Sequence, residues 1–274
     1  MKFFRFLFIS LALLGASSLI AQDDFRRLSP SDAEKVLSEF RAYRMAGDFC
    51  MKFEITHYLR KSDETESCAG TLYGTWEKNV PVLRIELEQG DVKKSFLLRG
   101  GTAPELWTLD AENRPVRMDK SSTDPFFEHL IFTPFELQTP FVYWEDAVYE
   151  RTKRFRGRPV HFFKMTPPEA FRAENPEIAY VRIGFDRVYN ALVSAEIFGT
   201  DGKLKKTFSL SRVQKVQEQY TIRELELRDD TTRDKDEFVV VAAALNLRLP
   251  RTIFSPENLS EPAPYVPASL FEQL

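Results

Sequence analysis

The chain has only 2 cysteines and 3 histidines among 274 residues, too few for a disulfide-built scaffold or a Cys/His metal cluster. His57, His129 and His161 stand far apart, with no ligand at helical spacing beside them, so no local metal motif exists. There is no Gly-x-Ser-x-Gly elbow, no phosphate-binding glycine loop and no nicotinamide fingerprint. Glu145 and Asp146 are adjacent and would point apart on any regular element, which makes them a poor acid and base pair. The sequence therefore offers no catalytic residue, metal site or cofactor site, and a non-enzyme is expected. An excess of basic charge is also missing, since 38 Lys and Arg face 41 Asp and Glu. That balance excludes the basic footprint of a nucleic-acid binder. Beyond the N-terminal segment no apolar run reaches the roughly 20 residues needed to span a bilayer.

The N-terminal segment is different. Lys2 and Arg5 precede an apolar run from Phe6 to Ile20, the layout of a secretory signal peptide, with cleavage expected near Ala21. No cysteine follows that run, the first being Cys50, so the lipid-attachment residue of a lipoprotein is missing. The expected product is an unanchored exported domain. Export permits a disulfide. A turn centred between Asp63 and Glu64, however, would set Cys50 opposite Glu77 rather than Cys68, which leaves a bridge and two buried thiols both open.

Hydrophobic periodicity supplies the fold class. Ser29-Pro30 starts a helix, with Ala33, Val36, Leu37 and Phe40 on one stripe, and Gly47 ends it. From Phe49 the period becomes two: Phe49, Met51, Phe53, Ile55 and His57 face one way, and Lys52, Glu54, Thr56 and Tyr58 the other. Further strands follow around Leu72 to Trp76, Leu83 to Leu87 and Val92 to Leu98. Others are expected at Pro159 to Met165, Ala179 to Arg187, Ala191 to Phe198, Lys203 to Val216, Tyr220 to Leu227 and Glu237 to Ala244. Asp201-Gly202 marks a hairpin with a primed turn. Asp124-Pro125 opens a second helical piece carrying Phe126, Phe127, Leu130 and Ile131. Roughly ten short strands and few helices predict a mainly β protein: a half-open, strongly curved antiparallel β-barrel with a few capping helices, the alternative being an ordinary β-sandwich that buries the same apolar faces with no cavity. The expected organisation is a signal peptide at 1–21, one β domain at 22–254 and a proline-rich extended tail at 255–274.

Phenylalanine is abundant, at 24 residues, and many of these fall on inward strand positions. Such rings either close a tight core or line an apolar concavity. Phe53, Ile55, Trp76, Ile85, Phe96, Ile183 and Phe185 are the candidate lining residues; Phe126, Phe127, Leu130 and Ile131 are the candidate lid. Arg154, Arg156 and Arg158 form a basic strand edge that suits an anionic lipid surface or an acidic partner, or is a solvated edge.

Several stretches carry a family likeness: Gly70-Thr71-Leu72-Tyr73-Gly74, Asp124-Pro125-Phe126-Phe127, the run from Phe141 to Tyr149, Gly157-Arg158-Pro159-Val160-His161, and the hairpin from Ala195 to Leu204. In order and patterning the chain resembles the outer-membrane lipoprotein-sorting proteins, the LolA-like superfamily of periplasmic carriers. The resemblance implies an unclosed barrel whose apolar hollow shelters the acyl chain of a lipid or lipoprotein on its way toward the outer membrane. It further implies a periplasmic monomer meeting partner proteins at the inner and outer membranes. The alternative on the same fold is a non-catalytic periplasmic binding or sensor module.

Overall fold

The computed structural model describes residues 25–118, 123–186, 188 and 191–274; the expected export segment at 1–21 lies outside the described residues. Helix α1 (Pro30–Ala42) begins as its sequence directs. Ser29 accepts the Asp32 amide, Pro30 occupies the first turn, and Ala33, Val36 and Leu37 are buried.

Two antiparallel meanders make one sheet. The first runs β1 (Asp48–Tyr58), β2 (Thr65–Glu77), β3 (Val80–Gln89), β4 (Val92–Arg99), β5 (Glu105–Leu109) and β6 (Pro115–Arg117). The second runs β7 (Ala147–Phe155), β8 (Arg158–Met165), β9 (Ile178–Asp186), β10 (Ala191–Gly199), β11 (Leu204–Val216), β12 (Gln219–Asp229) and β13 (Lys235–Leu247). Pairing of β1 with β13 joins them, and β14 (Glu272–Gln273) adds to the far half of β13. The sheet ends at β6 and β7, which do not pair with one another, so the barrel is curved and half open. Strands β6 and β7 are consecutive in the chain. The connection between them crosses the open side, where it carries helix α2 (Pro134–Gln138).

Register follows the alternation, with local differences from the sequence reading. Cys50 pairs with Tyr73, and Ile55 with Cys68; the turn sits earlier than Asp63-Glu64, so Cys50 does not face Glu77. Cys50 and Cys68 belong to clusters on opposite faces and are both free. Strands β5, β6, β7 and β14 are additional to those expected: β5, β6 and β14 are only five, three and two residues long, and β7, an edge strand, has no buried residue and therefore no strong apolar alternation. Helix α3 (Glu169–Glu174) likewise has no fully buried residue and sets only the partly buried Phe171 against the core, too little for an apolar stripe. The Asp201-Gly202 hairpin forms, but only Gly202 has a positive φ, at 74°, and the ladder shifts register at Ile197/Phe198. A bulged turn therefore replaces the primed one.

The glycines of Gly70-Thr71-Leu72-Tyr73-Gly74 have a packing reason. Phe53 and Phe49 lie across them on the paired strand, and a Cβ would stand 2.4 Å from the Phe53 ring at Gly70 and 2.0 Å from the Phe49 ring at Gly74. Only a bare α-carbon lets these rings lie flat on β2.

The concave face holds the main core; the convex face holds a second cluster of Cys50, Tyr73, Val82 and Leu97. That second cluster is covered by Leu249, Ile253, Phe254 and Leu259 of the C-terminal segment. Arg84, only 2% exposed, donates to the Asn258, Leu259 and Glu261 carbonyls and pairs with Glu86. The proline-rich stretch expected to be an extended tail is thus fastened to the sheet.

Candidate functional site

Three segments cover the concave face: α1, the turn after it, and the connection from β6 to β7. The last was expected to be helical at Phe126 to Ile131. Instead it is a loop closed on itself, with the Phe126 amide on the Phe132 carbonyl at 3.2 Å and the Leu130 amide on Phe127 at 2.9 Å. The helix starts later, at Pro134, where Thr133 and Glu136 form a capping box. The physical reason lies on β13. Asp236, fully buried, accepts the Ile131 amide at 2.6 Å and the Phe132 amide at 2.8 Å on Oδ2, while His57 Nδ1 meets Oδ1 at 2.7 Å. Those two amides bond to a carboxylate rather than to a preceding helical turn, and this tertiary capture overrides the local pattern. Burial pushes the Asp236 carboxyl above the ordinary aspartate range, against the opposing effect of His57 and the two amides.

Other polar groups fasten the same loop around its margin. Lys94 donates to the Phe126 carbonyl at 2.7 Å and stands over the Phe127 ring. Lys206 reaches the Ile131 carbonyl at 3.2 Å and Glu136 at 3.3 Å. Helix α1 is clasped separately: Arg41 Nε donates to the Val142 carbonyl at 2.8 Å and its Nη2 to that of Trp144 at 2.7 Å.

The apolar hollow these segments leave has a volume of about 230 Å³. Its floor is made by Phe49, Met51, Leu72, Leu225, Phe238 and Val240. Tyr43, Tyr220 and Ile222 rim the mouth with exposures of 44%, 50% and 40%. Large apolar side chains left this exposed beside an apolar hollow mark a contact or binding surface.

The expected lining residues fall around this hollow, not on its wall. Phe53, stacked on Phe238 at 4.5 Å, lies in the filled core with Ile55, Ile85, Ile183 and Phe185. Phe96 packs edge-on against Phe126 at 5.0 Å and borders a separate, more polar cleft of about 700 Å³. Trp76 sits apart beneath the Arg44 guanidinium, 4.4 Å from its ring centre. Phe126, Phe127, Leu130 and Ile131 do come together on the concave face, where the first three are buried. Alternation identified the inward face but not the depth along it. The hollow lies at the end where β1 and β12 begin, beside the α1 terminus, and the exposed pair Tyr220 and Ile222 around Thr221 was the available signal.

Among the described residues no three of His, Cys, Asp or Glu gather as a metal site, and no helix is long and apolar enough to cross a membrane. His57 and His161 are buried and hydrogen-bonded, to Asp236 and Thr152 respectively.

Solved structures share this architecture. A DUF1329 family protein from Desulfovibrio piger superposes with a TM-score of 0.71 at 13% identity, covering 84% of this chain and 98% of that one. A domain described as an outer membrane lipoprotein-sorting protein, from Vibrio parahaemolyticus, gives 0.71 at 16% identity over 84% of this chain and 100% of its own. A LolA superfamily protein from Nitrosomonas europaea gives 0.60 at 13% identity over 81% and 97%. The fold is LolA-like, as the sequence resemblance implied. A family model described only as an uncharacterized protein matches residues 87–261, more than half of the chain, and the chain belongs to that family. No curated protein matches it.

Proposed function

We propose that the protein is a non-catalytic periplasmic carrier that shelters a lipid or lipoprotein acyl chain in the concave face of its half-barrel and releases it toward the outer membrane. The observation that carries this reading is the apolar hollow of about 230 Å³ with its exposed apolar mouth, bordered by Tyr43 and Met45 after α1 and by Leu137 of α2. The names of the lipoprotein-sorting domain and the LolA superfamily protein on the same fold support it.

Energies favour a chain over an empty hollow. Each buried methylene is worth about 0.8 kcal/mol, so a dozen give on the order of 10 kcal/mol before costs. Ligand pockets usually measure about 300–1,000 Å³, larger than the closed hollow, so a full chain requires the segments that border it, α1 with the turn after it or α2, to move. The anchors oppose this with about 1–3 kcal/mol for each hydrogen bond left unmade in a buried place, less once water replaces it. With water replacing it, each anchor costs about 0.5–1.5 kcal/mol net, so acyl burial exceeds the cost of releasing α1, which the two Arg41 bonds hold.

Native mass spectrometry of the full chain, with uptake of a fluorescent fatty acid, tests the reading. One acyl chain per protein is expected. Val213→Trp, at the partly buried margin of the hollow, should fill it and cut uptake at least tenfold without lowering the melting temperature by more than a few degrees. Absence of any bound chain in the wild type would refute the carrier reading.

A further inference from the structure

A second hollow, of about 290 Å³, opens at the same end of the sheet and shares Leu210 and Val213 with the apolar one. Its rim is basic: Arg156 comes from the β7–β8 turn, Arg158 from the start of β8, and Arg212 from β11. We propose that this rim binds the anionic phosphate head group of a lipid whose acyl chain lies in the neighbouring apolar hollow. The proposal rests on the carrier reading and names its ligand class.

Local backbone geometry places the arginines. The two-residue β7–β8 turn has φ of 47° at Arg156 and 85° at Gly157, a primed hairpin turn that projects Arg156 from the strand end. One of its guanidinium nitrogens donates to the Leu210 carbonyl at 2.9 Å, which holds the turn against β11. The other N–H groups of Arg156 have no acceptor among the described residues. On β11 the ladder shifts register on both sides of Arg212, between Leu210 and Val213. The irregularity sets a cation between two residues that wall the apolar hollow.

The acidic groups nearby offset only part of this charge. Asp186, almost fully buried, already accepts Arg158 at 3.0 Å and the Val188 amide at 2.8 Å. Glu224 stands 3.8 Å from Arg212, beyond hydrogen-bond reach, and the Arg212 side chain is 65% exposed. Arg156 and Arg212 are therefore the cations available to a ligand, and Arg158 braces the turn. Guanidinium forks match phosphate oxygens in geometry as well as charge. An apolar hollow and a basic hollow divided by two side chains suit an amphiphile better than a neutral hydrocarbon.

Binding of lysophosphatidylglycerol and of a neutral, phosphate-free monoacylglycerol of equal chain length, each below its aggregation concentration, tests the proposal by calorimetry and native mass spectrometry. The wild type should prefer the anionic lipid by roughly tenfold at low salt, the scale of one charge-assisted hydrogen bond. Added salt should shrink the preference. Arg156→Gln with Arg212→Gln should abolish the preference while monoacylglycerol binding persists, which also shows that the variant is folded. Equal affinities in the wild type, or a preference that survives the double variant, would overturn the proposal and leave the carrier reading intact. Failure of both lipids to bind would overturn the carrier reading and this proposal with it.

Discussion

Asp236→Ala should unlatch the loop from Phe126 to Ile131 without unfolding the sheet. The carboxylate takes the Ile131 and Phe132 amides and His57 from a fully buried position. Alanine leaves those donors without an acceptor, and each such buried group costs about 1–3 kcal/mol. The closed loop can avoid most of this cost by opening to water, so about 3 kcal/mol is transferred to the local opening equilibrium. At 1.4 kcal/mol per factor of ten, amide exchange at residues 126–138 should accelerate by about two orders of magnitude. Strands β11 and β12 (204–229) should keep their protection. Asp236→Asn retains a carbonyl for the two amides and an NH2 for His57 Nδ1, so it should accelerate exchange far less. Hydrogen exchange with mass spectrometry on the three proteins measures this directly. An unchanged loop, or equal acceleration in the loop and in β11–β12, would refute the latch.

Two further outcomes follow from the same geometry. Arg41→Ala removes the donors to the Val142 and Trp144 carbonyls; loss of about 1–2 kcal/mol should raise the fatty-acid uptake rate several-fold in stopped-flow fluorescence, and an unchanged rate would separate α1 from gating. Burial pushes Cys50 up to about 12 and Cys68 to about 11, so native protein at pH 8 should resist thiol reagents and both thiols should react after denaturation. Since these folded values exceed the ordinary thiol value of about 8.5, their contribution to stability is complete below that pH. It is lost as pH rises toward 11 and 12, so urea midpoints of Cys50→Ala and wild type should converge with alkalinity.

The fold was largely legible because its strands obey period two and its hairpins are short. Phe49, Met51, Phe53 and Ile55 assign the inward face of β1 from sequence alone, and Ser29-Pro30 fixes the start of α1. What resisted reading depends on contacts distant in sequence. Pairing of β1 with β13 brings His57 to Asp236 across 179 positions, and that pair in turn prevents a helix at Phe126 to Ile131. The Cys50 register turned on where a polar loop tightened, which Ser62 to Glu66 does not encode sharply. Strand β7 has no buried positions, so it lacked the signal that found its neighbours. For the candidate site, composition and alternation selected large inward side chains, but those at mid-strand were consumed by the core. The hollow formed at the strand ends, where helix and sheet part.

The connectivity explains why the closing segments are anchored by polar groups. Strands β6 and β7 are both sheet edges and chain neighbours, so the link between them must cross the gap whatever its sequence. A link packed only by rings would close the barrel permanently, since exposing Phe126, Phe127 and Leu130 to water costs about 1.5–3 kcal/mol each. Asp236, Lys94, Lys206 and Arg41 act differently. Their hydrogen bonds fix one closed geometry, yet water replaces them on opening, and Asp236 also escapes the desolvation that raises its pKa. An acyl chain arriving beneath the loop would supply the apolar contacts that its rings give up. On the carrier reading, closed-state specificity would come from polar groups cheap to hydrate, while the apolar contacts would pass from loop to ligand with little net loss. That division would allow the same half-barrel to be well ordered when empty and still open to a chain.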